Sequence, residues 1–179
     1  DLKGLLAYST VSHLGLVTML LGFGTPLAAV AAVFHILNHA TFKAALFMNA
    51  GIVDHEAGTR DIKRLGGLLH LMPITATMAM VAGASMAGLP PFNGFLSKEM
   101  MLHEAVSTTW LGNGWVIAAL ATLAACFSVA YSFRYIVHVF FGARRDDYPH
   151  PPHDPPVGMW LPPALLVVLV VAIGLFPDT

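Results

Sequence analysis

Cysteine and charge are what this sequence has least of. A single cysteine, Cys126, leaves no intrachain disulfide framework to draw and says little about redox compartment. Only 11% of the 179 residues are charged, and a net charge of -1 with scattered basic residues offers no footprint for nucleic acid. There is no phosphate-cradling Walker loop, no dinucleotide glycine pattern, no cysteine cluster and no His-Glu-x-x-His, so ATP hydrolysis, local redox chemistry and zinc hydrolysis find no support. Neither enzymatic activity nor a cofactor or metal is expected; energy for any transport has to come from an ion gradient or from other subunits. An initiator Met, a basic n-region and a cleavage site are also missing, so no signal peptide is expected. Asp1 runs straight into helix-forming sequence and Thr179 closely follows an apolar run, as in an internal fragment of something longer.

What is abundant is apolar. Hydrophobic residues make up 56% of the chain, and the mean hydropathy of +0.71 lies outside the habit of soluble domains. Stretches of about 20 apolar residues suit a helix crossing a hydrocarbon core of roughly 30 Å. They fall near 5–23, 26–53, 71–107, 113–141 and 159–176. The third is too long for one simple helix and is interrupted by AGLPPFNG at 87–94, where Pro90 and Pro91 remove backbone donors and Gly88 and Gly94 loosen the chain. A break at membrane depth needs protein or a water-filled cavity to satisfy the freed polar groups, which suits a transport path better than a passive anchor. The expectation is an all-α, polytopic membrane helix bundle, a single transmembrane domain over 1–179 with about five spans, one discontinuous at 87–94.

Five crossings place the N-terminal end and the loops 54–70 and 142–158 on one side, with Lys3, Arg60, Lys63, Arg64, Arg144 and Arg145, and no Lys or Arg on the other. The positive-inside rule then makes the basic side cytoplasmic. YPHPPHDPPVG at 148–158 is too rich in proline to be helical; its His150 and His153 read as part of a stiff hydrated connection, with metal binding as the alternative.

Into the second stretch, AAVFHILNHATFKAALF at 31–47, His35, His39 and Lys43 are set at intervals of four. Four-residue spacing stacks side chains on one helix face, with Lys43 about 12 Å beyond His35. An unpaired cation at that depth is costly, so each group needs a reason to be there. Lys43 reads as a group that loads and unloads a proton, or as a lysine locked by a carboxylate elsewhere. His35 and His39 leave open proton relay, interhelical hydrogen bonding and metal ligation. Lys98, just past the break, is a second candidate station, reachable from Lys43 if polar groups intervene. His103 and Glu104 could approach that end of a path or contact headgroups or a neighbouring subunit. His13, in LLAYSTVSHLGLV beside Ser9, Thr10 and Ser12, suits helix packing or relay equally.

At these residues the chain resembles the large antiporter-like subunits shared by Mrp-type multisubunit cation/proton antiporters and the proton-pumping arm of respiratory complex I. The resemblance rests on DLKGLLAYSTVSHLG at 1–15, FHILNHATFKAALF at 34–47, GTRDIKRLGGL at 58–68 and LPPFNGFLSKE at 89–99, in the family's order. The wording of IVDHEAGTRDIKRLGGL, PPVGMWLPPALL and GLFP looks most like the A-type branch of the Mrp antiporter subunits. It implies that His35 and His39 match the histidines of the helix that carries the conducting lysine, Lys43, and that Lys98 matches the terminal lysine of the broken helix. His13 stands where relatives often carry glutamine or another polar residue. The implied function is part of the proton-transfer path in a multisubunit monovalent cation (Na+)/proton antiporter of the cell inner membrane. Its partners would be other hydrophobic subunits, membrane lipid, protons and Na+. Two other readings stay open: a proton-pumping component of a complex I-like NADH:quinone oxidoreductase or related hydrogenase, and a structural membrane scaffold.

Overall fold

The structure, a computed structural model, describes residues 1–178. Among these, six α-helices make up the bundle: α1 (Leu2–Gly22), α2 (Pro26–Ala57), α3 (Pro73–Ala87), α4 (Asn93–Ser107), α5 (Val116–Phe140) and α6 (Val157–Leu175), with a short 3-10 turn at Leu68–His70. No β-strand occurs among the described residues, as the all-α reading requires. Helix ends follow local capping chemistry. The Asp1 carboxylate accepts from the Lys3 and Gly4 backbone amides at 2.9 and 3.3 Å, and Thr25 accepts from Ala28 N at 3.1 Å with Pro26 preset for the first turn. The second stretch runs to Ala57, beyond the expected end at 53, because Asp54 and Glu56 are not left facing oil: Lys3 Nζ pairs with Asp54 at 3.1 Å and His153 Nε2 with Glu56 at 3.3 Å.

Helices α1, α2, α5 and α6 are each long and apolar enough to cross a membrane. The 15-residue α3 and α4 are not, since about 22 Å of helix falls short of a ~30 Å core. End contacts show how they combine. The N-terminus of α3 is tied to the proline-rich loop, where Asp154 accepts from the Ile74 and Thr75 amides at 3.1 Å. The far end of α4 is tied to the turn between α1 and α2, where Thr25 Oγ1 donates to Glu104 at 2.9 Å. The two half-helices together therefore run from one end of the bundle to the other. The basic segments converge at one end: Arg60 pairs with Asp1 at 3.2 Å, Gly67 N donates to Phe141 O at 2.9 Å, and Arg145 Nη1 donates to Lys63 O at 2.9 Å.

The break is built from close approach. α3 stops at Gly88, whose φ of 85° is left-handed, and the Lys98 stem lies where a side chain on Gly88 would go, 2.7 Å from an added Cβ. On the other half, a Cβ at Gly94 would fall 1.9 Å from Ser85 O, so only glycine lets the start of α4 lie against the last turns of α3. Asn93 fixes this arrangement. Its Nδ2 donates to Asn38 Oδ1 at 3.2 Å and Thr41 Oγ1 at 2.9 Å, its Oδ1 accepts from Ser85 Oγ at 2.6 Å, and its carbonyl accepts from Asn38 Nδ2 at 3.0 Å. Small residues such as Ala31, Ala45, Ala76, Ala79 and Ala82 are fully buried and let backbones pack closely. Large apolar side chains of α1, α5 and α6, including Tyr8, Phe127 and Val168, point outward as on a lipid-facing surface.

Candidate functional site

The bundle interior carries a line of polar groups to which α1, α2, α4 and α5 each contribute. His35, His39 and Lys43 lie along α2 as their spacing requires. Opposite them α1 presents Ser9 and His13, themselves four apart. His13 Nδ1 lies 2.9 Å from His35 Nε2, and His35 Nδ1 lies 2.9 Å from Ser97 Oγ on α4. The His13 ring is also 5.0 Å from that of His39, and the His35 and His39 rings are 6.1 Å apart. The histidines thus form a cluster with His13 as its hub, whereas the ladder on α2 alone left His13 an accessory.

Tautomers make this chain directional. If Ser97 donates to the Gly94 carbonyl at 3.3 Å, His35 carries its proton on Nδ1, accepts at Nε2 from His13 Nδ1, and leaves His13 Nε2 with a free lone pair. If Ser97 donates to His35 instead, the sense reverses and His13 Nε2 carries the proton. The two arrangements differ in which end of the chain carries the free lone pair. The Nε2 atoms of His13 and His39 are buried and have no hydrogen-bond partner among the described residues, so the cluster keeps two nitrogens open for exchange.

The lysines flank one methionine. Lys43 Nζ donates to Ser9 Oγ and lies 3.1 Å from Met86 Sδ. Lys98 Nζ donates to Met86 O at 2.9 Å and to Ser128 Oγ on α5 at 2.5 Å, and Tyr131 OH donates to the same Ser128 oxygen at 3.1 Å. Met86 belongs to the last turn of α3, whose carbonyls the break leaves without helical partners; a cation there is favoured by both hydrogen bonding and the helix dipole. Both lysines are buried, and neither has a carboxylate within ion-pair reach among the described residues. Each amino group is therefore held by neutral hydrogen-bonding groups alone.

Glu104 and His103 sit apart from this line. Glu104 is engaged by Thr25 at 2.9 Å and lies 3.7 Å from His103 Nδ1, while the His103 side chain is 73% exposed at the end of the bundle remote from the basic loops. His153 reaches Glu56 across the basic end, and no group of three or more His, Cys, Asp or Glu residues placed to hold a metal occurs among the described residues. Sequence reasoning missed Met86, Ser97, Ser128 and the Asn38–Asn93 pair. Only Asn93 carried a signal, a polar residue two positions after the Pro90-Pro91 pair at membrane depth.

Residues 1–128 match the family described as NADH:quinone oxidoreductase/Mrp antiporter, transmembrane. A probable K(+)/H(+) antiporter subunit of the A/B type from Rhizobium meliloti is 61% identical over 178 residues, covering 99% of this chain and 18% of that protein. The A-type Na(+)/H(+) antiporter subunit of Alkalihalophilus pseudofirmus is 45% identical, with 99% of this chain and 25% of that protein covered. This chain therefore spans a quarter or less of the length of these relatives. Among solved structures, a chain of the Mrp complex from a Dietzia species superposes with a TM-score of 0.86 at 43% identity over 99% of this chain and 19% of that one. A chain of respiratory complex I from Thermus thermophilus does so with a TM-score of 0.84 at 30% identity, over 99% of this chain and 36% of that one.

Proposed function

The chain belongs to the NADH:quinone oxidoreductase/Mrp antiporter transmembrane family, and from that membership and its buried polar line we propose that it forms part of the proton-transfer path of a multisubunit monovalent cation/proton antiporter. The observation that carries this reading is the pair of buried lysines without carboxylate partners, set on either side of Met86 at a broken helix. In the proposed path Lys43 exchanges a proton with the His13, His35 and His39 cluster, and Lys98 passes it toward the end that carries Glu104. Ser9, Ser97, Ser128 and Tyr131 are the hydroxyls through which the amino groups and imidazoles are held at transfer distance. Each is neutral, so none traps the charge.

The work is secondary transport, driven by gradients rather than by a reaction on this chain. Partners are other hydrophobic membrane subunits, lipid, protons and a monovalent cation, with Na+ favoured and K+ the alternative named for the Rhizobium relative. The basic end is assigned to the cytoplasmic side of the inner membrane on the positive-inside rule. Identity of 61% and 45% to antiporter subunits, against 30% to the complex I chain, favours the antiporter over a quinone-linked pump.

The test is cation-driven proton movement in everted vesicles containing the assembled complex with Lys98→Ala. Exchange with Na+ and with K+ is expected to fall to background at every pH while the complex assembles normally. Undiminished exchange would remove Lys98 from the path, and a scaffold would show no loss when Lys98 and Lys43 are both made apolar.

A further inference from the structure

Where the loop after α2 meets the end of α5, the surface carries an open cavity of about 330 Å³ that the proton line does not use. Ile62, Leu65 and Val137 give it an apolar floor, and Lys63, His138 and Arg145 stand around it. Val137 remains 47% exposed and Phe133, one turn before it, 46%, so the floor continues into the apolar surface that α5 turns outward. The surrounding basic side chains have no ion-pair partner among the described residues. Lys63 and His138 make no side-chain hydrogen bond or ion pair among the described residues, and Arg145 donates from Nη1 to a neutral carbonyl, Lys63 O. Of the nearby carboxylates, Asp146 pairs with Arg144 at 3.4 Å, Asp61 Oδ1 accepts the Lys63 backbone amide at 3.0 Å, and none of Asp61, Asp146 and Asp147 lines the cavity.

An apolar floor open to the lipid face, beneath unpaired cations at the end of a membrane-spanning helix, matches an amphiphile with an anionic head. The geometry points to a binding site for one anionic phospholipid, its phosphate held by Lys63, Arg145 and His138 and an acyl chain lying over Val137 and Phe133. The guanidinium fork suits a phosphate oxygen pair, while the lysine supplies a mobile point charge. A free anion would use the cations alone and gain nothing from the floor. Lipid gains from both, and each basic residue at a membrane surface raises affinity for acidic lipid about fivefold. This inference does not rest on the proton-transfer reading.

The test uses the intact complex in phosphatidylcholine nanodiscs doped with phosphatidylglycerol that carries a photoactivatable group in its acyl chain, with adducts mapped by mass spectrometry. Labelling is expected within 133–142, to drop about fivefold in Lys63→Gln, which keeps the carbonyl that Arg145 uses, and about 25-fold in Lys63→Gln with Arg145→Gln. Val137→Trp, which fills the floor without changing charge, is expected to abolish labelling in a complex that still assembles. Equal labelling by the phosphatidylcholine analogue, no response to Lys63→Gln, or complete displacement by inorganic phosphate would each overturn the assignment, the last by showing a simple anion site.

Discussion

His13 donates or accepts at Nδ1 according to how His35 is protonated, because the His35 ring is held at both nitrogens, by His13 on one side and Ser97 on the other. Removing the Ser97 hydroxyl frees His35 Nδ1 and leaves the tautomer sense unset. Ser97→Ala is accordingly expected to slow exchange about five- to tenfold, the scale of one hydrogen bond, without loss of assembly; an unchanged initial rate in vesicles would show that the His35–Ser97 link carries no protons. The polar face of α2 was legible because its groups repeat every four residues in an apolar run. Its partners were not. Ser9, Ser97 and Ser128 are ordinary small polar residues in helix sequence, and Met86 acts through a backbone oxygen and a thioether, so nothing in their spelling separates them from packing residues. His13 became central only when α1 set it against both α2 histidines, a fact of helix rotation that spacing along one segment does not encode.

At the scale of helices, the broken crossing was legible from Pro90, Pro91 and the flanking glycines, and the structure places the interruption at 88–92 within the expected 87–94. Less legible was the overlap of the two half-helices, which depends on Gly94 meeting Ser85 and on Asn93 reaching Asn38, Thr41 and Ser85 together. Gly94→Ala has no room to relax against a backbone oxygen and is expected to destabilise the assembled complex by about 1–3 kcal/mol. Gly15→Ala, with nothing within 4 Å of the added Cβ, is the matched control and is expected to leave stability level or slightly raised. Thermal melting of the two variants in the same detergent compares them directly; equal melting temperatures would mean that the overlap is not tight. Asn93→Ala removes the side-chain hydrogen bonds to Asn38, Thr41 and Ser85 and is expected to cost about 1–3 kcal/mol in the same assay.

For the whole molecule, the question is how far a line of neutral hydrogen-bonding groups can stand in for charge. The bundle gathers Lys3, Arg60, Lys63, Arg144 and Arg145 at one end and presents no Lys or Arg in the loops at the other, which fits five crossings with one broken. In the complex with Cys126 replaced by alanine, a cysteine at Thr59 and one at Ala143 are expected to react with an impermeant thiol reagent from the same side, and one at Asn113 from the opposite side. Reaction of Thr59→Cys and Asn113→Cys from a single side would break this topology. The central claim is that Lys43 exchanges protons with the histidine cluster on one flank and with Lys98, on the far side of Met86, on the other. Its most direct test is proton uptake, followed with an entrapped pH dye, in proteoliposomes holding the purified complex with Lys43→Ala and driven by a Na+ or K+ gradient. The account predicts background uptake from a fully assembled complex, and uptake at the wild-type rate would contradict it.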